Sequence, residues 1–591
     1  MFVRRLWIDN FRGIKHLDWK IPEGQHATVL VGPGDAGKTT ILEAIHLLLS
    51  DRWMIPFADT DFYGVVLDNQ ISIRAAMTDI PTALMKDNAF GMWLSGIDEA
   101  GDLHDDPEDV FTPALLVQLK VDMSLEPKWT VARVNGEQTN ITASQRRNLS
   151  TFKVDDRTDS QLRWSRTSAL GRLSSEDGAE RQALAEAARA AQNAIAGGEN
   201  VSLNELTRRI QERANQVGGG SFSDIRPGLD TSRSSLGVAL ALYEGVVPLT
   251  SYGLGSRRLA SLAVQQLAAG DRAVAVIDEI EAGLEPHRAI RLLAYLLNSN
   301  EYSQIVFTTH SPVLVEQAKL ENLAAVSNRE GEVTVAMLGG ADEEMQRLRR
   351  TRPSSLLARR AVVVEGKTEH GLLLECIDAW DEERVGEGLS TAAGEGTAVV
   401  DGGGGREAIS KAQALLALGL EVASFIDNDD RSVDDNDDRS VDDNAEQAKS
   451  SGVLVTRWAE GNNTERQICA QMNETMLTRL VAVGSIQRSG DETVLQDLNL
   501  DRFGTKVTSL DVGAWISDGM SLTDARTRVA VAAHDRKWFR TVDSGRALGA
   551  FVLGEYENPE IAQFVMRLNQ VKRFIYGIQE GASQAARAGD P

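Results

Sequence analysis

Polar and apolar residues alternate along Phe2–Ile14 (FVRRLWIDNFRGI), while His26–Gly32 (HATVLVG) is almost unbroken in its apolar run. The period then changes: Ile41, Leu42, Ile45, Leu48 and Leu49 recur three and four residues apart in Lys38–Ser50. Alternation marks a half-buried strand, a short continuous run a buried strand, and the wider spacing an amphipathic helix. The chain thus opens as strand, turn, strand, glycine loop, helix. Further strand patterns follow in NQISIRAAM (69–77) and ALLVQLKVDM (114–123). Residues 175–217 are rich in Ala, Glu, Arg and Gln, which predicts helices, and VGGGSFSDIRPG (217–228) reads as a flexible connection. From about 236 the buried strands RAVAVIDEI (272–280) and QIVFTTHSP (304–312) bracket a helix. A second strand–helix series starts at RRAVVVEG (359–366) and runs to about 470, and the last 120 residues read as mainly helical.

At 591 residues and 42% hydrophobic content the chain has room for two to four domains. It holds no apolar run of about 18 residues, so a membrane span is not expected. Its N-terminus lacks the small-residue cleavage site of a signal peptide. The two cysteines, Cys376 and Cys469, have no metal-ligand spacing and suit a reducing cytoplasm. A net charge of −24 argues against a nucleic-acid coat protein but not against an enzyme with a local basic track. Gln346–Arg360 (QRLRRTRPSSLLARR), with six arginines and no acids, is the candidate track. It reads equally as a solvated linker or as a phosphate contact.

Gly32–Thr39 (GPGDAGKT) fits G-x-x-x-x-G-K-[ST] between a strand and a helix. Gly32, Gly34 and Gly37 would let backbone N–H groups wrap a phosphate. Lys38 would reach the β- and γ-phosphates, and Thr39, followed by Thr40, would face Mg2+. A second strand delivers Asp278 and Glu279, suited to the Mg2+ shell and to polarising the attacking water. His310 stands at the next strand end as a γ-phosphate sensor.

A separate carboxylate set follows. Ala361–Ile377 carries Glu365 at a strand end with Glu369 four residues on, and EVASFIDNDD (421–430) brings Asp427 and Asp429 to the end of another strand. Glutamate at one strand end and Asp-x-Asp at a second is the donor set of divalent-metal phosphoryl transfer. Directly afterwards NDDRSVDD is printed twice, as Asn428–Asp435 and Asn436–Asp443. An EF-hand loop would need a glycine that this stretch lacks. Only Asp427-Asn428-Asp429 is expected to carry chemistry, the second copy merely lengthening a loop.

These motifs resemble ABC-type ATPases of the RecF/SMC kind joined to toprim, and the combination resembles the OLD (overcoming lysogenization defect) family, which includes the nuclease subunit of Gabija antiphage systems. IDEIEAGLEP (277–286) looks like the Walker B and D-loop, and His310 like the switch histidine. Ser251–Val264 (SYGLGSRRLASLAV) stands where the signature loop belongs and departs from its usual residues, though Gly253, Gly255 and Ser256 suit an anion-binding helix start. The resemblance implies an α/β fold: an ABC-type ATPase head with a helical dimerisation insertion, then a toprim α/β domain and a mainly helical C-terminal region. Expected bounds are 1–170 and 226–345 for the head, 171–225 for the insertion and 346–360 for an Arg-rich linker. Toprim would span 361–545, and a C-terminal helical segment 546–591.

By matched motif Glu365, Glu369, Asp427 and Asp429 would be metal ligands or acid–base groups. Glu465, in RWAEGNNTERQI (457–468), would be a further ligand. In DRKWFRTVDSGRALG (535–549) Lys537, or else Arg540, would be the catalytic cation. The implied cofactors are ATP and Mg2+ or Mn2+. The implied partners are DNA, a second copy or higher homo-oligomer, and a UvrD-like helicase. A cytoplasmic ATP-dependent DNA endonuclease in antiphage defence is the expectation, against a RecF-like repair ATPase without nuclease activity or a toprim toxin acting on RNA.

Overall fold

The computed structural model describes residues 1–154 apart from 53–54, 109 and 150, then 158–162, 168, 186, 190, 243–244, 247–269, 273–299, 302–339, 343–428 and 441–578. The expected helical insertion at 171–225, Asp429 and most of the tandem repeat lie outside these residues.

A 14-stranded sheet organises the first part of the described chain. Five of its strands run parallel in the order Thr151–Val154, Ala273–Ile277, Tyr302–Thr308, Ala27–Val31 and Leu323–Arg329. Strands covered on both faces need continuous apolar runs, and ATVLV and AVAVI are buried at every position. Parallel pairing also fixes direction, so Gly32, Asp278, Thr309 and the Asn328 turn emerge on one edge. The rest of the sheet is mostly antiparallel and holds the alternating strand Phe2–Phe11 between Ile14–Lys20 and Ile71–Thr78. This part of the chain, referred to below as the head, is α/β, as expected from the sequence.

The second α/β unit is a four-stranded parallel sheet, ordered Thr397–Asp401, Arg360–Val364, Glu421–Ile426, Leu454–Arg457. Successive side chains of a strand face opposite ways. Accordingly Ala361 and Val363 join one core while Val362 and Val364 join another. The first core is continuous with the head, taking in Ile277, Phe307, Leu348, Leu356 and Val422. The second is closed by the C-terminal helices through Trp458, Trp538, Phe539 and Phe564.

Residues 346–360 are not a solvated tether. They form the end of helix Glu343–Thr351 and a 3-10 turn, Pro353–Leu357, which bury Met345, Leu348, Ser355 and Leu356. Three of the arginines are engaged within the chain. Arg347 pairs with Glu344 and Glu407, Arg349 donates to the Glu316 and Ala318 carbonyls, and Arg360 pairs with Glu421 and Glu395. The C-terminal region is helical as expected, but helix Val542–Gly554 runs through residue 545, where a domain boundary was placed. Its seat explains the continuity. A Cβ on Gly371 would collide with the Val542 carbonyl, and one on Gly545 would lie 2.6 Å from the Thr368 carbonyl. Glycines therefore bring this helix into close contact with Lys367–Gly386. Among the described residues no helix is long and apolar enough to cross a membrane.

Candidate functional sites at two strand edges

The glycine loop is a tight structure. Gly32 has φ 142° and Gly37 φ 95°, and a Cβ on Gly32 would overlap the Val326 carbonyl. Both positions demand glycine, for backbone angle and for close approach. Lys38 begins helix Lys38–Leu49; its side chain is buried and its ammonium donates to the Gly32 carbonyl at 2.9 Å and the Pro33 carbonyl at 2.6 Å. Burial pushes its pKa down to about 8, against the pull of Asp278, Asp35, Glu279 and Glu281. Gly34 and Thr39 are exposed and Thr40 half-buried on the first turn of that helix.

Asp278 ties its own strand end to a neighbouring strand end and to the start of a helix. Its Oδ1 accepts from Thr39 Oγ1 at 3.1 Å and from Thr308 Oγ1 at 2.7 Å. Thr308 in turn accepts from the Glu279 N–H at 2.7 Å, holding Glu279 at φ 47° with its side chain exposed. The neighbouring Glu281 accepts from Thr309 Oγ1 at 2.9 Å and from the His310 N–H at 2.6 Å. His310 is exposed, and its pKa is lowered first by desolvation and then by Lys38. Lys38, Thr39, Asp278, Glu279 and His310 thus stand on one edge, as the sequence spacing implied. The Ser251–Val264 stretch also reaches it. Helix Leu254–Ala269 starts at the expected glycines, a Cβ on Gly255 would collide with the Gly283 carbonyl, and buried Arg258 donates to the Asp278 carbonyl.

The second edge gathers the other carboxylates. Glu365 ends its strand and its Oε2 accepts from the Asp427 N–H at 2.7 Å, which ties the ends of two adjacent strands. Glu369 is buried in the first turn of Lys367–Gly386, where Oε2 caps the Gly366 N–H at 3.0 Å. Its Oε1 lies 2.7 Å from Thr464 Oγ1, which is also 3.1 Å from Asp427 Oδ1. The Thr464 N–H donates to that same Asp427 oxygen at 3.0 Å, and Trp458 Nε1–H donates to the Thr464 hydroxyl at 2.8 Å. Burial, then the charges of Glu365 and Glu465, raise the Glu369 pKa to about 7 although Thr464 opposes them.

Glu465 is buried and meets His534 Nδ1 at 3.2 Å. Three residues on, exposed Lys537 (φ 59°) follows the end of helix Leu522–Asp535, anchored by its N–H to the His534 carbonyl at 3.1 Å. Arg540 is exposed beyond it. Sequence reasoning missed Thr464 and His534. The first carries a local sign, a threonine opening a helix beside Glu465. The second carries none, because its contact spans 69 residues. Among the described residues no three His, Cys, Asp or Glu side chains stand close enough to hold a metal ion together.

Two family models match the chain: an "AAA ATPase domain" over residues 1–90, and an "AAA domain, putative AbiEii toxin, Type IV TA system" over 127–316. A curated OLD nuclease of Thermus scotoductus is 25% identical over 441 residues, covering 68% of this chain and 77% of that protein. Solved structures matching part of the chain include an Smc head bound to the C-winged helix domain of ScpA (17% identity, 57% of this chain and 98% of that one, TM-score 0.31). Smc heads from Pyrococcus furiosus (15%, 59% and 99%, TM-score 0.33) and Thermotoga maritima (13%, 57% and 100%, TM-score 0.27) match similarly. The glycine loop, Asp278 and Glu279 stand on one sheet edge inside the two segments that the AAA models match, and over 68% of its length the chain is similar to a curated OLD nuclease.

Proposed function

We propose that the chain is a nucleotide-controlled, divalent-metal-dependent DNA endonuclease whose cleavage centre, of toprim type, lies at the second strand edge. The observation that carries this reading is the tie between Glu365, Asp427, Thr464 and Glu369, which brings three carboxylates to the ends of two parallel strands. The donor chemistry is that of a hard cation, all oxygen, and Glu365 and Glu465 lie near enough to raise the Glu369 pKa, although the described side chains would have to draw together to share one ion. Glu365, Glu369, Asp427, Asp429 and Glu465 would hold Mg2+ or Mn2+ there, and Thr39 and Asp278 would hold Mg2+ beside the ATP phosphates. At the cleavage centre such ions supply positive charge that acidifies a bound water and neutralises a phosphodiester oxygen.

The chain's own groups do the rest. The Thr464 N–H and hydroxyl fix the Asp427 carboxylate, and the Asp427 N–H fixes that of Glu365. Lys537 would offset charge developing on the phosphate. At the nucleotide edge Glu279 would take a proton from the water attacking ATP, and His310 would meet the γ-phosphate. DNA as substrate, a homodimer or higher homo-oligomer, a UvrD-like helicase partner, a cytoplasmic setting and a role in antiphage defence belong to the same reading.

Supercoiled plasmid incubated with Mg2+, Mn2+ or Ca2+, with and without ATP, tests it. Nicking by the wild type that is lost in Glu365→Ala and Asp427→Ala, with ATP hydrolysis retained in both, is the expected result. Nicking that survives both substitutions would remove the second edge from the reaction.

A further inference from the structure

The two strands that end in carboxylates begin beside the nucleotide loop. A cavity of about 420 Å3 separates the head from the second sheet. One wall is formed by the glycine-loop residues Gly32–Ala36 with the turn at Asn328–Glu330; the other is Arg359, Arg360 and the turn Leu418–Glu421. Arg360 opens the strand that leads to Glu365, and Glu421 opens the strand that leads to Asp427. At about 3.3 Å per residue each strand spans roughly 17–20 Å, so the cavity wall and the carboxylates are opposite ends of two rigid elements.

The contacts across the seam are close and specific. A Cβ on Gly419 would collide with Ser327 Oγ, and a Cβ on Gly32 with the Val326 carbonyl. Glycine loop, head strand and the second unit's turn thus stand in direct succession, with the Ser327 side chain against Gly419. Within the cavity wall Arg360 is committed to Glu421 at 2.6 Å and to Glu395. Arg359 is exposed and, among the described residues, its guanidinium has no ion-pair or hydrogen-bond partner. Arg329, exposed on the head's wall of the same cavity, likewise has no side-chain partner among the described residues, so each wall offers one uncommitted guanidinium. Guanidinium suits both parts of a nucleotide, pairing with phosphate and stacking on a base. Asp35 and Glu330 on the head's wall would oppose a bare anion, but either could accept from ribose hydroxyls.

We infer that Arg359 reaches across this cavity to the nucleotide held on the glycine loop, and that Arg359 and the Gly419 turn pass the nucleotide's presence along the two strands to the carboxylate edge. The affinity half of this inference rests on the ATPase alone; the coupling half rests on the endonuclease reading.

Titration of full-length protein with ATP and with tripolyphosphate tests the first half. Arg359→Ala should bind ATP about tenfold more weakly at an unchanged melting temperature, with Arg359→Lys between it and the wild type. Equal loss for both ligands places the contact on phosphate, and loss for ATP alone places it on the nucleoside; either supports the contact. Unchanged affinity for both overturns it. For the second half, plasmid nicking is compared with and without ATP. At ATP concentrations that saturate each protein, and with the melting temperature of each variant measured alongside, nicking by Arg359→Ala and Gly419→Ala should change less on adding ATP than nicking by the wild type. A full response in both variants would overturn the coupling. If the wild type nicks under no metal, the endonuclease reading has failed, and the affinity measurement still decides the role of Arg359.

Discussion

Two buried ionisable side chains give the two edges opposite responses to pH. The Glu369 pKa is raised from 4.5 to about 7, so the folded chain holds a proton that the unfolded chain releases. Its stabilisation is complete below about pH 4.5 and is lost as the pH rises through about 7. Gln at this position keeps the acceptor for the Gly366 N–H and can donate to Thr464. Glu369→Gln should therefore raise the unfolding free energy in EDTA more at pH 8 than at pH 5, by on the order of 2 kcal/mol between them. An equal gain at both values would place the Glu369 pKa in the ordinary carboxylate range. Lys38 is shifted the other way, down to about 8. Only its ammonium form attracts phosphate, so ATP affinity should fall about tenfold from pH 7 to 9. Lys38→Arg, charged throughout, should show a flatter profile when the dissociation constant is measured across that range.

At the scale of elements the Lys367–Gly386 helix carries Glu369 and is pressed against Val542–Gly554, which follows the Lys537 turn. Gly371, Gly545 and Gly549 make that approach possible. Gly371→Ala should cost about 1–3 kcal/mol in thermal or chemical unfolding and separate Glu369 from its neighbours. The expected signature is weakened nicking with ATP hydrolysis intact; an unaltered melting temperature would show that the helices can part without cost. Legibility of the sequence divides along the same line. Strands such as ATVLV and AVAVI, with chemistry at their ends, were readable because burial and function both sit in consecutive residues. The glycine packing and the His534–Glu465 contact were not, since each joins residues far apart in the chain and alters no local period. The six arginines of 346–360 misled in another way. Their charge suggested either a solvated linker or a phosphate contact, but Met345 and Leu348 on the helix and Leu356 in the following 3-10 turn decide the segment's burial.

Across the whole molecule that buried segment removes the option of two independent units on a tether. Leu348 is 1% exposed in a core holding both Phe307 of the head and Val363 of the second sheet. Removing its side chain should cost about 2–5 kcal/mol, because the surrounding atoms belong to two sheets and cannot collapse together onto the void. If the head and second sheet unfold as one, Leu348→Ala lowers a single calorimetric transition. ATP hydrolysis and plasmid nicking then lose heat tolerance at the same reduced temperature. A tether would give the opposite pattern: two transitions, and a substitution at 348 worth less than about 0.5 kcal/mol. Saturating ATP offers an internal check on the shared core, since a ligand bound only to the head stabilises whatever unfolds with it. In calorimetry of the wild type, ATP should move the whole unfolding enthalpy upward in temperature. A portion left behind at its original temperature would mean that the second sheet melts separately, and the strands beyond Arg360 and Glu421 would then have no rigid support from the nucleotide edge.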